Sequence, residues 1–126
     1  MLIHVGRKTG RLRETVAMVL ADDATTGELV ICSGWGPDAD WVRNLRTGPA
    51  REVRVGRDRF VPRHRFLGND EAFSVGVAFR QAHPWRLRLV SGILGWGDLR
   101  SDDAVHEFVQ HHPLVGLQPT HPIEDL

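Results

Sequence analysis

The first fifteen residues constrain this chain most. Leu2-Ile3-His4-Val5 is a short apolar run, and Gly6-Arg7-Lys8-Thr9-Gly10-Arg11 is a loop framed by two glycines and loaded with cations. An alternating run follows at once, with Leu12, Val16, Met18 and Leu20 at period two, which predicts a second strand over about 12–21. The glycines permit a tight backbone turn, and Arg7, Lys8, Arg11 and Arg13 offer donors for phosphate or carboxylate. The loop is no nucleoside-triphosphate cradle. That cradle needs Gly-Lys-Ser/Thr opening a helix, whereas here the lysine follows Arg7 and the next segment reads as a strand. A hairpin loop with solvated charges accounts for these residues equally well.

A second segment adds information. Leu29-Val30-Ile31-Cys32 runs into Ser33, then a Gly34-Trp35-Gly36-Pro37 turn, then a short helix with Trp41 and Asn44 three apart on one face. Gly6-Arg7-Lys8-Thr9-Gly10, Ser33-Gly34-Trp35-Gly36 and Trp41-Val42-Arg43-Asn44-Leu45 occur in the order and spacing of a known pattern. The strand pair around Glu52–Phe60 and the ending His112-Pro113-Leu114-Val115-Gly116-Leu117-Gln118-Pro119 fit it too. On these motifs the chain resembles the nitroreductase family of deazaflavin-dependent oxidoreductases, which bind coenzyme F420. The resemblance covers about residues 2–119.

The totals set limits. A chain of 126 residues has enough length for one domain with a single core, spanning 1–126. No run approaches the 18 apolar residues of a membrane span, and the start lacks the basic and apolar regions of a secretory signal. Cys32 is the only cysteine, which excludes an internal disulfide and suits a reducing cytoplasm. Formal charge is zero but uneven: residues 1–66 hold 12 Lys/Arg against 8 Asp/Glu, and residues 67–126 hold 4 against 8. The basic half carries both motifs and would draw an anionic ligand. The whole domain is not basic and shows no nucleic-acid-binding signature. His106 and His111 are five apart, about 140° around a helix, so they cannot share a metal-binding face. No metal site is expected.

Strands are predicted at about 2–5, 12–21, 28–33, 50–55 and 58–66, with a late strand at 114–118. Helices follow from the stripe Ala72, Val75, Phe79, Ala82, from Pro84 with Leu87, Val90 and Leu94 inward, and from Ser101 capping Asp102 and Asp103 with Val105, Phe108 and Val109 apolar. The pattern is mainly β with peripheral helices, a small barrel-like antiparallel sheet. The resemblance implies the split β-barrel fold shared with FMN-binding proteins.

The resemblance further implies that Arg7, Lys8, Thr9 and Gly10 form the loop that binds the cofactor phosphate. Arg11 and Arg13 come next, for phosphate or glutamyl carboxylates, or as solvated charges on a strand face. Ser33, Gly34 and Gly36 match positions beside the deazaflavin ring, and Trp35 would shape the pocket mouth. Trp41 and Asn44 match the helix packed over the site, with a core anchor and a backbone-bonding turn residue as the alternatives. Ser33 is the only hydroxyl that the match places beside the ring, which makes it the candidate proton donor. The implied activity is hydride transfer from reduced F420 to a small electron-poor acceptor: a quinone, an enone or a nitro compound. The alternative is a non-catalytic binder of F420, FMN or another flat cofactor. A monomer or a homodimer is consistent with either. Relatives that reduce nitroimidazoles line the substrate pocket with tyrosines. This chain has none, so that activity does not carry over.

Overall fold

The computed structural model describes residues 1–34 and 36–122. Its strands are β1 (Leu2–Val5), β2 (Leu12–Thr15), β3 (Met18–Asp22), β4 (Leu29–Cys32), β5 (Glu52–Val55), β6 (Asp58–Phe66) and β7 (Leu114–Pro122). Its helices are α1 (Asp40–Thr47), α2 (Asn69–Ala82), α3 (Pro84–Leu94) and α4 (Asp102–His111). The strands form one antiparallel sheet in the order β2-β1-β5-β6-β7-β4-β3.

The single strand expected over 12–21 is two strands, broken at Val16-Ala17, and they lie at opposite edges of the sheet. This break sets the shape. Laid flat, seven strands would hold their outer members roughly 29 Å apart at about 4.8 Å spacing. The link from Thr15 to Met18 spans at most roughly 11 Å. The sheet must therefore curl until its edges nearly meet. Among the described residues no ladder joins β2 to β3, so the expected barrel-like sheet is open rather than closed.

The apolar runs are buried as their sequences require. In β4 all four residues are buried: Leu29 and Ile31 join the core under α1, while Val30 and Cys32 join a second core under α2 and α4. A strand covered on both faces reads as an unbroken apolar run, not as an alternation. In β7, Val115 and Leu117 face the first core and Leu114 the second.

The helices start where their sequences signal. Ser101 Oγ accepts the Ala104 N–H at 3.1 Å, and Pro84 stands in the first turn of α3. Two details differ from the expected stripes. Ala82 is exposed, and α3 is only half-buried through Leu87, Val90 and Leu94. The last strand also runs on to Pro122 instead of ending near Gln118, because β6 is long enough to pair with it that far. Among the described residues no helix is long and apolar enough to cross a membrane.

Leu117 is 1% exposed at the centre of the first core. Leu117→Ala should cost about 2–5 kcal/mol, from lost burial and the cavity left behind. Equilibrium urea unfolding of the two proteins measures it.

Candidate functional site

The cationic loop is closed by its own backbone. Gly6 N–H donates to Arg11 O and Gly10 N–H to Gly6 O, both at 2.8 Å. A Cβ on Gly6 would lie 3.0 Å from Thr9 Oγ1 and 3.4 Å from Arg11 O, so a side chain there would push the turn open. Thr9 Oγ1 also accepts the Arg11 N–H at 3.3 Å. The loop thus holds a fixed shape at the end of β1.

One amide joins this loop to α1. Asn44 Oδ1 accepts the Arg7 N–H at 3.1 Å and Arg7 Nη1–H at 2.9 Å. Its Nδ2 lies 2.8 Å from His4 Nδ1. Arg7 Nη1 also lies 3.5 Å from Asp40 in the first turn of α1. Arg7 is therefore occupied within the protein. The side chains of Lys8, Arg11 and Arg13 are exposed and form no ion pair among the described residues.

Two clefts adjoin. The first, of about 720 Å³, is lined by His4, Gly6, Arg7, Lys8, Thr9, Arg13, Glu14, Thr15, Asp38, Ala39, Asp40, Trp41 and Asn44. The second, of about 370 Å³, is lined by Thr15, Val16, Ala17, Met18, Cys32, Gly34, Trp41, Val90, Ile93, Leu94 and Trp96. Thr15 and Trp41 belong to both, so a polar chamber and an apolar slot stand side by side with shared walls. The polar chamber is not net positive as the basic half of the chain suggests: three cations face three carboxylates, one of which already holds Arg7. Its cations sit on the loop and β2, and two of its acids lie at the start of α1.

The Ser33–Gly36 turn stands behind the slot. Ser33 is 0% exposed, its N–H donates to Pro113 O at 3.1 Å, and its Oγ donates to Gly36 O at 2.6 Å. The hydroxyl closes the turn and lines neither cleft, which gives no geometric support to the expected proton donor. Gly34 lines the slot; a Cβ there would lie 3.0 Å from Leu94 Cδ1 and 3.4 Å from Trp96 Cζ2. Gly34 O accepts Trp96 Nε1–H at 3.1 Å. Gly36 is buried outside both clefts, and Trp35 lies outside the described residues. Trp41 is both a core residue and a wall of both clefts. Gly10 and Arg11 line neither cleft.

Trp96, one of the four large aromatics (with Trp85, Phe79 and Phe108) available to line the pocket in place of tyrosine, does line the slot. Several other lining residues carry no sequence signal for a site. His4 is the main one: a histidine within an apolar strand, facing the same side as Leu2. Met18, Val90, Ile93, Leu94 and Trp96 assemble the slot from segments far apart in the chain. Cys32 also reaches the slot, with its thiol pushed up to about 12 by burial, so it stays protonated at neutral pH. His106 stacks on Phe73 at 3.8 Å.

Burial holds the imidazoles of His4 and His112 below their ordinary value near 6.5, the latter while its ring stacks on Phe108 at 4.0 Å. The folded protein then binds fewer protons at these sites than the unfolded chain. Their stability contribution is full above about pH 6.5 and is lost as pH falls toward the lowered folded values. The melting temperature should drop between pH 7.5 and 5.5. His112→Phe, which keeps the aromatic stack, should flatten part of that slope in a series of thermal melts.

The family of F420H(2)-dependent quinone reductases matches residues 1–73. No curated protein matches the chain. The matched stretch contains every residue lining the polar chamber and ends within α2, whereas Val90, Ile93, Leu94 and Trp96 of the slot lie beyond it. The matched stretch also holds Lys8, Arg11 and Arg13, the cations that form no ion pair among the described residues. The chain belongs to the F420H(2)-dependent quinone reductase family, and it is an F420-dependent oxidoreductase.

Proposed function

We propose that the polar chamber takes the phosphate side chain of F420, that the apolar slot takes its deazaflavin ring, and that the chain reduces a small electron-poor acceptor, a quinone first and an enone or nitro compound by the same chemistry. The observation that carries this reading is that the two clefts share the walls Thr15 and Trp41, with the unpaired Lys8 and Arg13 in one and an apolar lining in the other. Lys8, Thr9 and Arg13 would bond the phosphate directly. Arg7, engaged by Asn44 and Asp40, would fix the loop that presents them. Arg11, outside the cleft, would reach only the distal carboxylates of the tail.

When bound, the reduced deazaflavin supplies a hydride and is left oxidised. The chain's own groups orient and shield. Trp41 and Trp96 wall the slot, and Gly34 lets the ring approach the backbone. Trp96 is held by Gly34 O and by Phe108, whose ring lies 4.7 Å away. The acceptor takes both electrons with the hydride, and the oxygen or carbon left anionic takes its proton from water at the open seam between β2 and β3. The open, curled sheet supports the split β-barrel fold, and we read residues 1–126 as one such domain acting in the cytoplasm, a setting that a lone unpaired cysteine suits.

Lys8→Ala should weaken F420 binding by about 1–3 kcal/mol, the scale of a lost charge-assisted bond. Quenching of tryptophan fluorescence during titration reads it, and a deazaflavin lacking the phosphate side chain should lose far less. Unchanged affinity would move the phosphate away from this loop. Ser33→Ala removes the bond to Gly36 O and should cost about 1–3 kcal/mol of stability. It should slow enone and quinone turnover by similar factors, because the turn and not a proton is disturbed. A selective loss with the enone would restore Ser33 as the proton donor.

A further inference from the structure

His4 has an arrangement that the phosphate loop alone does not explain. The residue is 3% exposed, yet it lines the polar chamber. Two donors of Arg7, its backbone N–H and Nη1–H, end on Asn44 Oδ1, which fixes which end of the Asn44 amide is oxygen. The other end, Nδ2, then donates to His4 Nδ1 at 2.8 Å. A ring nitrogen that accepts a hydrogen bond carries no proton, so the proton of the neutral ring sits on Nε2. Among the described residues Nε2 has no hydrogen-bond partner, and it is not one of the side-chain nitrogens sealed from the surface without one. With Nδ1 engaged by Asn44, Nε2 is the ring nitrogen left for the chamber that His4 lines. Across the β1–β2 ladder the partner of His4 is Arg13, another wall of that chamber.

We infer that His4 Nε2–H is a neutral hydrogen-bond donor, aimed in advance by Asn44, for an anionic phosphate oxygen of the cofactor. This rests on the reading that the cofactor phosphate occupies the polar chamber. It divides the labour within the Trp41–Leu45 motif: Asn44 spends its oxygen on Arg7 and one N–H on His4, so it positions the donors on either side. The protein thereby gains a directional donor at the chamber wall without adding charge to lining residues that already balance. Burial favours the same neutral state.

Two readouts test the inference. Long-range proton–nitrogen correlation spectra of the nitrogen-labelled protein should show His4 as the Nε2–H tautomer near neutral pH, and adding F420 should move that Nε2 resonance. A charged ring, the Nδ1–H tautomer, or an Nε2 signal unmoved by saturating F420 would overturn the assignment. The second readout is affinity. His4→Asn keeps an acceptor where Nδ1 stood but falls short of the chamber, and should weaken F420 binding roughly 10- to 100-fold. His4→Gln places an amide N–H near the position of Nε2 and should stay within about fivefold of the native protein. For the deazaflavin without its phosphate side chain, neither change should matter. If Lys8→Ala weakens binding while a folded His4→Asn does not, the inference about His4 is wrong and the chamber reading stands. If F420 binds and neither variant weakens it, the chamber reading itself fails. Should His4→Asn not fold, the Nε2 resonance of the native protein decides.

Discussion

A link of two residues, Val16-Ala17, governs the architecture. It ties β2 and β3, the outermost strands of a seven-stranded sheet, within a span that no flat sheet allows. The sheet has to curl, and the gap left where its edges fail to pair is lined by Thr15, Val16, Ala17 and Met18. The same residues form one wall of the apolar slot. Fold and candidate site share a cause: the place where the sheet cannot close is the place where a flat molecule can enter.

A second constraint acts on the polar side. Asn44 is buried and bonds to both β1 and the loop after it, through His4 and Arg7. A buried amide with these partners missing would carry a desolvation penalty, so the loop and α1 are held together by the need to satisfy it. Arg7, the most conspicuous cation of the motif, is part of that scaffold. The exposed Lys8 and Arg13 remain for a ligand. A motif of cations thus separates into a group that builds the loop and groups that the loop presents.

The family match and the geometry divide the molecule similarly. The matched residues include every residue that lines the polar chamber. The slot's far wall comes from α3 and Trp96, beyond the match. The absence of tyrosine throughout the sequence means that Trp96, Leu94 and Ile93 give that wall an apolar character with a single indole N–H, already spent on Gly34.

The sequence by itself determined what is local. The Gly6–Gly10 turn, the apolar strand β4, the Ser101 cap and the proline start of α3 each depend on neighbours within a few residues, and each was legible. The break at Val16-Ala17 was not, because Leu12, Val16, Met18 and Leu20 keep period two straight through it. Strand periodicity does not register a change of pairing partner. Nor did the sequence tell Arg7 from Lys8, or give His4 a role, since the deciding amide lies 37 and 40 residues away. Ser33 drew its candidate role from the resemblance alone, and only the fold shows its hydroxyl bonded to Gly36 O at 2.6 Å. Residue type fixes which bonds a side chain can make; only the tertiary structure decides which of them are already made, and so which donors remain for a ligand.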